Sequence, residues 1–96
     1  MHYSGILITV APRYFTDCLG DLKRMNGVEV FHQDARKGRV VVVQETTTIK
    51  AQEVGFNRMG SLPHVLSVEL VYHYHDPDPG AETRGSHTAP RKELQP

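Results

Sequence analysis

The sequence predicts an α+β fold in which a four-stranded antiparallel sheet carries two helices on one face, in the order βαββαβ. Three observations predict it. Four strand-like stretches recur, the first and last with period-two alternation and the third with a run of four valines, two amphipathic stretches of helical period lie among them, and breakers stand at the junctions. The stretch Leu62–His75, LPHVLSVELVYHYH, organises the chain. It closes the second helix and continues as the last strand, with Leu66, Val68, Leu70 and Tyr72 alternating with Ser67, Glu69, Val71 and His73.

The remaining elements follow in chain order. From Tyr3 to Ala11, Ile6, Ile8 and Val10 alternate with Gly5, Leu7 and Thr9, which is a first strand. Pro12 suits the first turn of a helix. From Pro12 to Met25, Phe15, Cys18, Leu19, Leu22 and Met25 recur at helical spacing, and Asn26-Gly27 ends that helix. Val28 to Gln33 forms a second strand, Asp34 to Gly38 a hairpin loop, and Arg39 to Glu45 a third strand with four consecutive valines. Thr46-Thr47-Thr48 supplies an N-cap, and Ile49, Gln52, Phe56, Met59 and Leu62 mark the inner face of the second helix. Gly55 and Gly60 each weaken that helix by about 1 kcal/mol relative to Ala, and Pro63 ends it. Two strand-helix-strand units with right-handed crossovers give the ferredoxin-like fold, with spatial strand order fourth, first, third, second.

Composition narrows the function. The chain has 96 residues, enough for one small domain and too few for a deep internal active site. Basic and acidic residues number 11 each, so the surplus of positive charge that nucleic-acid binding requires is absent. The single cysteine, Cys18, excludes an intramolecular disulfide and a CxxC motif, and reads as a buried small residue. The apolar run Ile6 to Ala11 is too short for a signal sequence or a membrane span, so a cytoplasmic protein with no membrane insertion is expected. Residues 1–75 are expected to form the domain. Residues 76–96 hold four of the six prolines and one large aliphatic, Leu94, and are expected to be a disordered C-terminal tail, either a solubilising extension or a lid.

A fold of this kind leaves one sheet face without helices. With Ile6, Ile8, Val10, Val28, Val30, Val41, Val43, Leu66, Val68, Leu70 and Tyr72 placed under the helices, the opposite parity is exposed. That open face is expected to carry Leu7, Thr9, Glu29, Phe31, Val40, Val42, Gln44, Glu69, Val71 and His73. An apolar patch of that extent marks an interaction surface or a dimer interface. The edge strands stand about 14 Å apart, enough for one helix about 10 to 12 Å across to rest between them.

Several stretches resemble the NapD family, the small cytoplasmic chaperones of the periplasmic nitrate reductase. They are Met1-His2 before Ser4-Gly5-Ile6-Leu7-Ile8-Thr9-Val10, the junction Asn26 to Val30, the run Gly38 to Val43, and Leu62-Pro63-x-Val65-Leu66-Ser67 leading to Leu70-Val71-Tyr72-His73. The resemblance covers residues 1 to about 75. It implies a chaperone that binds the twin-arginine signal peptide of the nitrate reductase catalytic subunit and delays export until the molybdenum cofactor is inserted. Glu69 and Glu29 would then pair with arginines, and Leu7, Val40, Val42 and Val71 would receive the apolar segment. The chain departs from the family at His64, where Gly is usual, and at Gln52 and Gly55 in the second helix.

Other chemistries fit less well. His73 and His75 share one side of the last strand and His2 is a possible neighbour, but no fourth metal ligand stands at convincing spacing, so no metal and no cofactor are expected; His73 instead touches the peptide or tunes binding near neutral pH. An acylphosphatase-like enzyme needs a phosphate-cradling loop where this chain has Ala11-Pro12-Arg13-Tyr14, and an RNA-binding domain needs stacking aromatics where it has Leu7, Thr9, Val40, Val42 and Gln44. The expectation is a non-enzymatic protein, monomeric or weakly dimeric. A small-molecule-sensing or dimerising regulatory domain of the same fold is the alternative.

Overall fold

The computed structural model describes residues 1–76, and the expectations for the tail fall on residues 77–96, outside the described part. The elements are β1 (His2–Val10), a 3-10 turn (Pro12–Tyr14), α1 (Phe15–Lys23), β2 (Val28–Asp34), β3 (Arg39–Thr46), α2 (Ile49–Gly60) and β4 (Val65–His75). All strand pairings are antiparallel and the sheet order is β2-β3-β1-β4, the ferredoxin-like arrangement. The amine of Met1 donates to the Asp76 carbonyl at 2.7 Å, and the Asp76 N–H donates to the Met1 carbonyl at 2.8 Å. These bonds extend the β1–β4 ladder past both strands.

Helix α1 starts as a 3-10 turn because no side chain caps its first amides and Pro12 fixes the entry. Its buried residues, Phe15, Cys18 and Leu22, lie three and four apart. Helix α2 is capped by Thr48, whose hydroxyl accepts from the Ala51 N–H at 3.0 Å. Of its expected inner face, Met59 is fully buried, Phe56 and Leu62 are partly buried, and Ile49 is exposed.

The core consists of Ile6, Ile8 and Val10 of β1, Val40 and Val42 of β3, Phe15, Cys18 and Leu22 of α1, and Met59 of α2. This corrects the expected parity of β3. Val40 and Val42 are 0% exposed and Gln44 is 2% exposed, all on the helix side, so they are absent from the open face. The register gives the reason. Val42 stands opposite Ile6, Val40 opposite Ile8 and Gln44 opposite Ser4, and directly paired residues share a face. Gln44 is tolerated there because its amide donates to the Gln52 carbonyl of α2 at 3.2 Å. Gly55 makes room for it: a Cβ at that position would lie 2.7 Å from the Gln44 side-chain oxygen.

Tight turns join the strands to the helices and β2 to β3. Gly27 and Gly38 have φ of +76° and +68°, where L side chains are strained. Among the described residues His64 is the non-glycine residue in that region, at φ +70°, and its ring stacks on Tyr14 at 3.6 Å between centroids. The His64 carbonyl accepts from the Ala11 N–H at 3.0 Å, holding the α2–β4 turn against the end of β1.

Candidate functional site: the open face of the sheet

Antiparallel register assigns the open face residue by residue. Across the order β2-β3-β1-β4, one row reads Glu29, Val43, Gly5, Tyr72 and the next His32, Val41, Leu7, Glu69. Beyond the first lie Glu45, Tyr3 and Tyr74; beyond the second lie Asp34, Arg39, Thr9 and Ser67. Neither described helix covers this face, since the buried residues of both pack on the opposite parity. Leu7, Val41 and Val43 form its partly exposed apolar centre.

Leu7, Thr9, Glu29 and Glu69 of the expected set therefore stand on the open face. Phe31 and Val71 do not keep a regular parity. Each is the extra residue of a β-bulge, Phe31 between the Val30 and His32 pairings and Val71 between the Leu70 and Tyr72 pairings, and they are 76% and 61% exposed. Leu66 occupies a third bulge and is likewise exposed, rather than lying under the helices. The bulge at Val71 reverses the parity of everything after it. Tyr72 and Tyr74 turn to the open face, and His73 turns to the helix side opposite Ser4, which corrects its expected position.

The tyrosines were absent from the expected site. The Tyr72 ring lies over Gly5, where any side chain would collide with it, and the Tyr3 and Tyr74 rings stack at 5.7 Å. Close approach of an aromatic to a strand glycine is the physical use of Gly5. The signal for β3 was present in the sequence: Val41 and Val43 share parity with the charged Arg39 and Glu45, whereas Val40 and Val42 share it with neutral Gln44.

Charge divides the face. The carboxylates of Glu29, Glu45 and Glu69 have no hydrogen bond or ion pair among the described residues, and Arg39 stands at the end away from Glu45. A shallow depression of about 280 Å³ lies against Tyr3, Gly27, Val28, Glu29, Val43 and Glu45. A larger cleft of about 730 Å³ opens on the other side of the sheet between α1 and α2, and includes Gln44, Val54, Arg24 and Arg58. In that cleft Arg24 is paired with Asp21, and Arg58 leaves it with a net positive charge, so it suits a cationic partner poorly; the open face, with the carboxylates of Glu29, Glu45 and Glu69, suits one better.

The three histidines do meet, on the helix side. His2 Nδ1 and His73 Nε2 are 3.1 Å apart, and the His2 ring stacks on His75 at 4.2 Å. Burial, the neighbouring imidazoles of His75 and His73 and the N-terminal amine hold the His2 pKa below its ordinary value. The rings lie nearly parallel, 12° apart, instead of converging on a point, and no group of three or more His, Cys, Asp or Glu suited to a metal ion occurs among the described residues. Cys18 is buried, its thiol donating to the Pro63 carbonyl at 3.1 Å, and burial with Asp21 and Asp17 pushes its pKa up. No helix of the described residues is long and apolar enough to cross a membrane.

The family profile described as NapD protein matches residues 1–77. The chain belongs to the NapD family. The solution structure of the E. coli Tat proofreading chaperone protein NapD superposes on it with a TM-score of 0.71 at 24% identity, covering 79% of this chain and 80% of that one. That likeness confirms the fold. Comparison with curated proteins returned no match. The NapD match ends just past β4, so it spans the sheet and both helices and leaves the last residues outside.

Proposed function

We propose that this NapD-family chain is a non-enzymatic chaperone that binds the twin-arginine signal peptide of the periplasmic nitrate reductase catalytic subunit, on the open face of its sheet. Binding there delays export while the enzyme matures and receives its molybdenum cofactor. The observation that carries the reading is a sheet face with an apolar centre, Leu7, Val41 and Val43, ringed by carboxylates without described partners. Such a peptide offers an apolar segment and two guanidinium groups, which that pattern complements. Apolar burial supplies most of the affinity, because a peptide that folds on binding forfeits about 2 to 5 kcal/mol in ordering. The arginine contacts supply selectivity. The protein works in the cytoplasm, where the unexported peptide is accessible, as a monomer or weak dimer.

Calorimetric titration of the chain with a twin-arginine signal peptide from a periplasmic nitrate reductase tests this, with the same peptide carrying two lysines as the comparison. Saturable binding that weakens on the lysine change is the expected result. Failure of both peptides to bind, together with a dimer that survives dilution, overturns it in favour of a regulatory domain of the same fold.

A further inference from the structure

We infer that the depression bounded by Tyr3, Glu29, Val43 and Glu45 receives a guanidinium group, and that it fixes the direction of the bound peptide. The inference rests on the peptide-binding reading above and adds a subsite and an orientation to it.

The sheet supplies the walls. Tyr3 stands opposite Glu45 across the β1–β3 ladder, and Glu29 stands opposite Val43, one row further along. Two carboxylates from neighbouring strands therefore flank one small concavity, with Val43 as an apolar surface between them. Tyr3 is held on its other side by the stacked Tyr74 ring. A planar cation suits this combination: its N–H groups bond carboxylates in its plane, and its face packs on an aromatic ring. An ammonium has no such face, so the subsite favours arginine over lysine.

Gly27 keeps the rim low. Its backbone has φ +76°, its carbonyl accepts from the Glu45 N–H at 2.7 Å, and a Cβ there would lie 2.5 Å from the Glu45 carbonyl oxygen. Bare backbone thus borders the depression where a side chain would narrow it.

The rest of the face sets direction. Arg39 lies at the opposite end of β3 from Glu45, six residues away, or roughly 20 Å along the strand. Asp34 stands opposite Arg39 and balances its charge, whereas Glu29 and Glu45 at the Tyr3 end face no cation across the ladder, so a cationic segment is attracted at the Tyr3 end. The apolar segment then runs over Val43, the Tyr72 ring that covers Gly5, Val41 and Leu7 towards Thr9. That span fits about 13 helical residues at 1.5 Å per residue. Consecutive residues of a helix project about 100° apart, so one of the two arginines enters the depression.

The test uses the full chain, its Glu29→Gln/Glu45→Gln variant and its Val41→Asp variant, titrated with a twin-arginine signal peptide and with the same peptide carrying glutamine at both arginines. A nitroxide on the peptide just before the arginine pair reports position through broadening of amide signals. The expected result is a loss of about five- to tenfold for the arginine peptide in the double variant. Affinity for the glutamine peptide stays unchanged, and broadening centres on Tyr3, Gly27 and Glu45. Unchanged arginine-peptide affinity in the double variant, or broadening centred on Thr9 and Arg39, overturns the subsite. Val41→Asp still abolishing binding would then leave the open-face reading standing. Absence of binding to the parent chain overturns both.

Discussion

Replacing Val42 with Asp unfolds the protein at neutral pH, whereas the same change at Val41 leaves it folded and removes peptide binding. Val42 is 0% exposed and packs beside Ile6. Its loss forfeits about 1.5 to 3 kcal/mol of apolar burial. The new carboxyl has no partner at that depth, and keeping it protonated at pH 7, about three units above its ordinary value, costs about 4 kcal/mol more. A domain of this size has a total stability of about 4 to 11 kcal/mol at 0.05 to 0.15 kcal/mol per residue, so Val42→Asp removes most or all of it. Val41 stands opposite Leu7 on the open face and is partly exposed. Asp there reaches solvent, and its cost is about 1 kcal/mol or less. Urea unfolding followed by circular dichroism separates the two. A Val42→Asp protein with the parent's midpoint, or a Val41→Asp protein that unfolds while Val42→Asp does not, would refute the register on which the open face is built.

Three further outcomes follow from contacts elsewhere. The unfolded chain protonates His2 near its ordinary pKa before the folded protein does, so stability falls as pH drops through about 6.5 towards the lower folded value; thermal melts between pH 7.5 and 5 show that slope, and it is shallower in His2→Phe. Cys18, buried with its pKa raised, reacts with iodoacetamide at pH 8 only through opening of the fold, so labelling is slow in buffer and rapid in urea. Equal rates in both solvents would contradict its burial. His64→Ala loses about 1 kcal/mol more stability than His64→Gly, because Ala retains the left-handed backbone cost while both lose the stack on Tyr14; chemical unfolding of the pair measures the difference directly.

Periodicity alone determined a great deal of this protein. Alternation at Ile6, Ile8 and Val10, helical spacing at Phe15, Cys18 and Leu22, the threonine cap of α2 and the breakers at Gly27 and Pro63 are local signals, and each element they mark is present in the structure. Element order with right-handed crossovers then fixed the sheet order. The stretches resembling NapD pointed to the family that residues 1–77 match.

What tertiary structure decided is which side chains face outward. The run Val40 to Val43 has no alternation of its own, and only the charged Arg39 and Glu45 that flank it carry a parity signal; pairing with Ile6 and Ile8 and the Gln44 bond to α2 choose the face. In β4 alternation is present but interrupted, because the bulge at Val71 adds one residue and exchanges the faces of Tyr72 and His73. A strand's face repeats every two residues, so a single uncounted residue inverts all that follow. Leu7, Thr9, Glu29 and Glu69 were legible because they stand where the alternation is unbroken. Tyr3 shares that unbroken alternation with Leu7 and Thr9, whereas Tyr72 and Tyr74 came onto the face only through the bulge in the pairing of β4 with β1, strands distant in sequence.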